Sequence, residues 1–152
     1  MSGRLEAIWR KRAHRGVMDA VQEAELVEGQ GVSGSVGRST RRQVTVIEHE
    51  VWARVMGELT ANVDPSARRA NLMISGIRLE ETRGQLLRIG ATLLKIGGHT
   101  TPCERMDEAL PGLQEALRAH WGGGAFAQVV TGGIIRIGDT VTWEPLAPSE
   151  TR

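Results

Sequence analysis

Apolar and polar residues alternate over short stretches along most of this chain, and only two regions change to a helical period. Residues 4–9 (Arg-Leu-Glu-Ala-Ile-Trp) alternate imperfectly and predict a first strand, and a weaker alternation runs from Ala20 to Val27. Gln43-Val-Thr-Val-Ile47 is β-branched and alternating, which predicts a strand. From Glu48 the period lengthens. Val51, Trp52, Val55, Met56 and Leu59 fall on one face of a helix, with Glu48, His49 and Glu50 at its polar start. Asp64-Pro65 breaks that pattern, and Ala70-Asn-Leu-Met-Ile74, closed by Ser75-Gly76, predicts another strand.

Leu86-Leu-Arg-Ile-Gly-Ala-Thr-Leu93 and Ile134-Ile-Arg-Ile-Gly-Asp-Thr-Val141 share one pattern, which predicts a strand, a glycine corner or bulge, and a second strand. Between them a helical stretch runs from Cys103 to Trp121, interrupted at Pro111-Gly112 and ended by Gly122-Gly-Gly124. Phe126 to Val130 completes the strands, and Pro145 to Arg152 is expected to be a tail. A doubly wound sheet needs regular strand–helix alternation, which is missing here. The pattern predicts a β-rich α+β fold: a closed or nearly closed β-barrel with a few inserted helices. It forms one domain over residues 4–144, with 145–152 outside it.

The composition supports that picture. Glycine is abundant, with 19 residues placed at turn-like positions, which suits a domain with many tight corners. One cysteine excludes an internal disulfide, no apolar run is long enough to span a membrane, and no signal-peptide pattern follows the early basic residues. A cytoplasmic protein is expected. A net charge of +1, with four Trp, one Phe and no Tyr, argues against nucleic acid as a partner. The basic residues are nearly all arginine, the better fork for phosphate and carboxylate, although codon bias accounts for this equally well.

The lone Cys103 lies in Thr100-Thr101-Pro102-Cys103-Glu104-Arg105. Thr101 as N-cap, Pro102 at the first helical position and Glu104 three residues after the cap make a capping box. Cys103 then falls in the first helical turn, where free N–H groups favour a thiolate, a nucleophile and soft-metal ligand. A buried, inert cysteine is the alternative. His99, four residues earlier, is either a base or co-ligand for Cys103 or a loop histidine bonding the backbone. Four histidines and one cysteine are too scattered for a structural zinc site. Arg68-Arg69-Ala70-Asn71 offers two arginines and an amide for an anion, or else a solvated loop, and Arg41-Arg42-Gln43 has the same two readings. The loop Gly29–Gly37 lacks the ending of a phosphate-binding P-loop.

These elements, in this order, resemble the MOSC domain family, named after the C-terminal domain of molybdenum-cofactor sulfurase; the chain looks like a small standalone member of bacterial type. The resemblance spans roughly Arg4 to Trp143. Arg69-Ala-Asn71-Leu72 with Ser75-Gly76 is similar to the family's Arg-x-Asn element, and Gly84 through Gly90-Ala91 to its glycine-flanked strand. Pro102-Cys103 matches its hallmark Pro-Cys, and Gly133 through Gly138-Asp139 to Val141 its closing strand pair. Many members carry Gly-Asp in the early glycine loop, where Gly34 is followed here by Ser35.

The resemblance implies a β-barrel and the molybdenum cofactor (molybdopterin). It implies Cys103 as the molybdenum ligand or as a sulfur carrier, with His99 orienting the thiolate or shuttling a proton. Arg69 and Asn71, with Arg42 and Thr101, are expected to hold the cofactor's polar parts. A sulfur donor such as a cysteine desulfurase, or redox partners, would then be needed, and the chain shows no counterpart to the additional N-terminal domain of larger cofactor-dependent reductases. Two other readings stand beside this one: molybdenum-dependent reduction of N-hydroxylated compounds, and a non-catalytic anion-binding barrel.

Overall fold

Eleven strands carry the architecture of the computed structural model, which describes residues 2–13 and 16–145. In chain order they are β1 (Ser2–Lys11), β2 (Met18–Val21), β3 (Glu23–Val27), β4 (Gly31–Val32), β5 (Val44–Glu48), β6 (Leu72–Ser75), β7 (Leu86–Ile89), β8 (Thr92–His99), β9 (Ala125–Thr131), β10 (Gly133–Arg136) and β11 (Thr140–Glu144). Three α-helices interrupt them: α1 (His49–Glu58), α2 (Arg105–Ala109) and α3 (Leu113–Ala116), with a 3₁₀ turn over Pro65–Arg68. Residues 146–152 of the expected tail lie outside the described residues, as does His14.

Seven strands run in the order β11-β7-β8-β9-β5-β6-β1, and β1 pairs back onto β11 at Ser2–Thr142, Gly3–Val141 and Arg4–Thr140, so the barrel is closed. Closure removes the free edges that an open sheet would present. The β5–β6 pair is parallel, bridged by α1 and the 3₁₀ turn, while the other barrel pairs are antiparallel. A three-stranded sheet, β10-β3-β4, packs Ala24, Leu26, Val32 and Ile135 into the same core. The imperfect alternation of the first strand has a cause: a register shift between Leu5 and Ala7 against β6.

Alternation decides what faces inward. In β8, Thr92, Leu94, Ile96 and Gly98 are buried while Lys95 and His99 are exposed. Trp52, Val55 and Met56 of α1 form a second cluster with Met106, Leu113 and Leu117, so the two helical interruptions pack on each other outside the barrel. No helix among the described residues is long and apolar enough to cross a membrane.

Both repeated Arg-Ile-Gly segments form a strand, a glycine corner and a second strand, as expected: Gly90 turns the β7–β8 hairpin, and Gly138 joins the small sheet to the barrel. Two local expectations are corrected. Gly122–Gly124 does not end a helix, because α3 stops at Ala116. The three glycines are buried, and the Gly124 carbonyl accepts the Thr100 N–H (2.9 Å). Glu48 is not at a solvated helix start but buried, 8% exposed, at the end of β5.

Candidate functional site

The 3₁₀ turn builds the site. The Asp64 carboxylate accepts the Ser66 N–H (3.0 Å), Pro65 occupies an early position, and Arg69 ends the turn in the left-handed region at φ 62°, ψ 34°. That reversal places two consecutive arginines in different surroundings just before β6.

Arg68 turns into the protein. Its Nε donates to the Gly123 carbonyl (3.0 Å) and its Nη2 to Thr100 Oγ1 (3.1 Å). Thr100 Oγ1 in turn donates to the Gly123 carbonyl. Arg68 is in no ion pair among the described residues. Burial pushes its pKa down, and the negative charge available at Cys103 opposes that shift. An arginine keeps its proton regardless, so the fold buries a positive charge here without an acid beside it.

Arg69 has the more telling geometry. Its Nη2 is buried and has no hydrogen-bond partner. Burial, then the charge of Arg105, lowers its pKa. Lys11 is lowered in the same direction by burial, Arg69 and Arg105, so three cations repel one another across this face. Arg42 lies with its guanidinium 4.9 Å from the Phe126 ring centre, and Arg41 lies 5.2 Å away.

These groups meet at a cavity of about 150 Å³ lined by Arg42, Thr45, Arg68, Arg69, Ala70, Thr100, Thr101 and Gly123. Three arginines and three threonines line it, with no acidic residue among them. Such a donor set selects an anion with several acceptor oxygens. Arg69 also lines a shallower depression of about 490 Å³ with Met18, Arg105 and Met106.

Of the residues expected from sequence, Arg42, Arg69 and Thr101 come together in the cavity; Asn71, His99 and Cys103 do not line it. Asn71 is committed internally. Its Oδ1 accepts the Thr45 N–H (3.1 Å), and its Nδ2 lies 3.4 Å from both the Trp9 carbonyl and Ser35 Oγ. It thereby ties β5 to β1 and to the glycine loop, where Ser35, 2% exposed, also accepts the Lys11 N–H (3.0 Å). Asn71 is therefore a positioning residue for the strand that carries Thr45. Asn71→Ala is expected to lower unfolding stability by about 1–3 kcal/mol, the usual cost of stranding buried partners. Chemical denaturation checks this, and an unchanged midpoint would contradict it.

His99 is exposed at the end of β8, and its ring packs on Trp121 (centroids 5.5 Å apart, 37° between planes). Cys103 is exposed, not buried. The capping box does not form: α2 begins at Arg105, Glu104 is the N-cap, and no side chain caps the helix. The Cys103 carbonyl accepts the Met106 N–H (2.9 Å). The cysteine thus precedes the helix instead of lying in its first turn. Among the described residues no group of three or more His, Cys, Asp or Glu could hold a metal ion.

Sequence reasoning passed over Thr45 and Thr100. Thr100 neighbours the chosen Thr101, but Thr45 reads only as a β-branched strand residue.

The MOSC domain profile matches residues 12–142 of this sequence. No curated protein matches it significantly. Among solved structures, the chain is similar to the YuaD protein from Bacillus subtilis, with a TM-score of 0.77 at 17% identity over 93% of this chain and 94% of that one. It is also similar to YiiM from Geobacillus stearothermophilus, with a TM-score of 0.73 at 15% identity over 94% and 75% of the two chains. YiiM from Escherichia coli gives a TM-score of 0.68 at 17% identity over 95% and 71%. These likenesses establish a shared fold.

Proposed function

The chain belongs to the MOSC domain family, which is associated with the molybdenum cofactor, and from that premise we propose that it binds this cofactor in the cytoplasm, with Cys103 as the thiolate beside the metal. The observation that carries the reading is Arg69 Nη2, buried without a partner at a cavity lined by arginine and threonine and free of acids. A phosphate oxygen is the complement such a group lacks. The cavity of about 150 Å³ fits a phosphate-sized group, and the depression of about 490 Å³ that shares Arg69 offers room for a larger body.

Arg69, with Arg68 and Arg42 beside it, would hold the anionic end, and the Thr101 hydroxyl could add a further bond, while the Thr45 and Thr100 hydroxyls are held by Asn71 and by Gly123 and Arg68. The Cys103 sulfur, as a thiolate, is a soft ligand suited to molybdenum. When bound, the metal would supply two-electron redox chemistry, for which reduction of N-hydroxylated compounds is one outlet, with electrons from a separate donor.

Protein purified from cells that make the cofactor is expected to carry both molybdenum and pterin, measured by elemental analysis and pterin fluorescence. Cys103→Ser is expected to keep the pterin and alter the metal's sulfur ligation, read by X-ray absorption. Absence of both molybdenum and pterin from the purified wild-type protein would sink the proposal.

A second reading rests on the exposure of Cys103 outside the cavity lining, which leaves it within reach of a donor protein. The thiolate would attack the terminal sulfur of a donor's cysteine persulfide. A new S–S bond forms on Cys103, and the donor's cysteine departs as a thiolate, so the electrons balance without an added oxidant. Incubation with a cysteine desulfurase and free cysteine would then add one sulfur atom to the intact mass, and Cys103→Ser would abolish the gain. An unchanged wild-type mass would overturn this route.

A further inference from the structure

A second cavity, of about 450 Å³, lies away from the arginine-lined one, at the other end of β5. Strand alternation explains its central group. Val44 and Val46 are fully buried in the barrel core, and Glu48 is the next residue on that face. A carboxylate thus stands where the pattern calls for another aliphatic side chain, and it is 8% exposed. Its one hydrogen bond among the described residues is a long one, from the Leu79 N–H to Oε2 (3.4 Å). It is in no ion pair among those residues, and it makes no capping bond to α1. Burial raises its pKa, with the Leu79 N–H and the charges of Arg78 and Arg54 opposing and that of Glu50 adding.

The other charged groups at this cavity are already engaged. Glu50 Oε2 accepts the Gly76 N–H (2.7 Å), Glu80 lies 2.8 Å from His120 Nδ1 and 3.9 Å from Arg78, and Arg54 pairs with Glu58 (3.8 Å). Glu48 is the one left short of a partner. Val51 and Ile77 give the same cavity apolar wall.

We propose that this cavity binds a small organic cation, an amidinium, guanidinium or primary ammonium, through the Glu48 carboxylate, with its hydrocarbon part against Val51 and Ile77. A buried carboxylate gains most from a charge-assisted bond, and a forked planar cation can satisfy both oxygens. The volume falls in the range of small-molecule sites, about 300–1,000 Å³. A bare divalent ion is the poorer match, because it needs six or more oxygen ligands and the neighbouring glutamates are occupied.

The test is a titration of the full chain with benzamidine hydrochloride and, separately, n-butylammonium chloride, followed by ¹H–¹⁵N NMR, with sodium benzoate as the anionic control. Saturable shifts at the Gly76, Ile77 and Leu79 amides with either cation, and none with benzoate, are expected. Glu48→Gln keeps the shape and the acceptor for Leu79, and is expected to weaken binding at least about tenfold. Val51→Trp fills the cavity with Glu48 intact, and is expected to abolish the shifts. No saturable shift with either cation, equal response to benzoate, or undiminished binding to Glu48→Gln would each overturn the proposal.

Discussion

Gly124→Ala is expected to lower the melting temperature by about 10 °C. Gly124 has φ +96°, where a side chain is strained at about 1–3 kcal/mol. The new methyl group would also be driven into the Val46 carbonyl oxygen and to 2.9 Å from Ile47 Cγ2. Val46 is a fully buried barrel residue, so neither side yields cheaply, and such overpacking adds about 1–3 kcal/mol. Gly84→Ala is the matched control: φ is +84°, but nothing lies within 4 Å of the added carbon. Equal losses from the two substitutions would show that packing against β5 contributes nothing. Displacing Gly124 would also reach the site, since its carbonyl holds the Thr100 N–H and Thr100 holds Arg68.

That chain of contacts explains why Gly122–Gly124 was misread from sequence. A glycine run after a helical period satisfies a local rule for helix ends, whereas the cause here is long-range. An added carbon at Gly123 would meet the Thr100 carbonyl, and one at Gly124 the Val46 carbonyl. The capping box failed for a similar reason. Thr101 and Glu104 fit the pattern, but Thr101 lines the cavity and the preceding Thr100 is fixed by Gly123 and Arg68. Tertiary contacts outbid a local cap worth about 1 kcal/mol.

What sequence conveyed well was periodicity. β5, β6, β8, β9 and α1 appear close to where alternation and helical spacing placed them. Barrel closure had no local signal, because Ser2–Arg4 pairs with Thr140–Thr142 across the whole chain. The candidate site was legible only in part. Arg42, Arg69 and Thr101 are far apart in sequence and nothing in their spacing joins them; the family resemblance brought them forward. The amide of Asn71 bonds Thr45, Trp9 and Ser35, contacts across three chain segments that no local pattern announces. Glu48 was invisible, as an acid at a helix start is ordinary and only the barrel's interior makes it unusual.

Arg69→Gly separates the site from the fold most sharply, and is expected to leave stability within about 1 kcal/mol of the parent while weakening cofactor binding at least about a hundredfold. Arg69 sits at φ 62°, a left-handed conformation that costs an arginine and that glycine adopts freely. Relief of that strain offsets the greater freedom of glycine in the unfolded chain. No folded-state hydrogen bond from Nη2 is lost, because it has none. What disappears is a buried donor without a partner, together with one member of the mutually repelling set formed with Lys11 and Arg105. Truncating one side of a buried charged contact ordinarily costs about 2–5 kcal/mol of binding. Arg69→Lys keeps the charge but not the planar fork, so it is expected to fall between the two. The readouts are pterin retained per protein and the rise in melting temperature with the cofactor present, which should vanish in Arg69→Gly. Asn71→Ala should do the reverse, costing stability first and ligand only through the displaced Thr45. If Arg69→Gly retained pterin as fully as the parent, the orphaned guanidinium would have no ligand to explain it, and the cofactor reading would lose its main physical support.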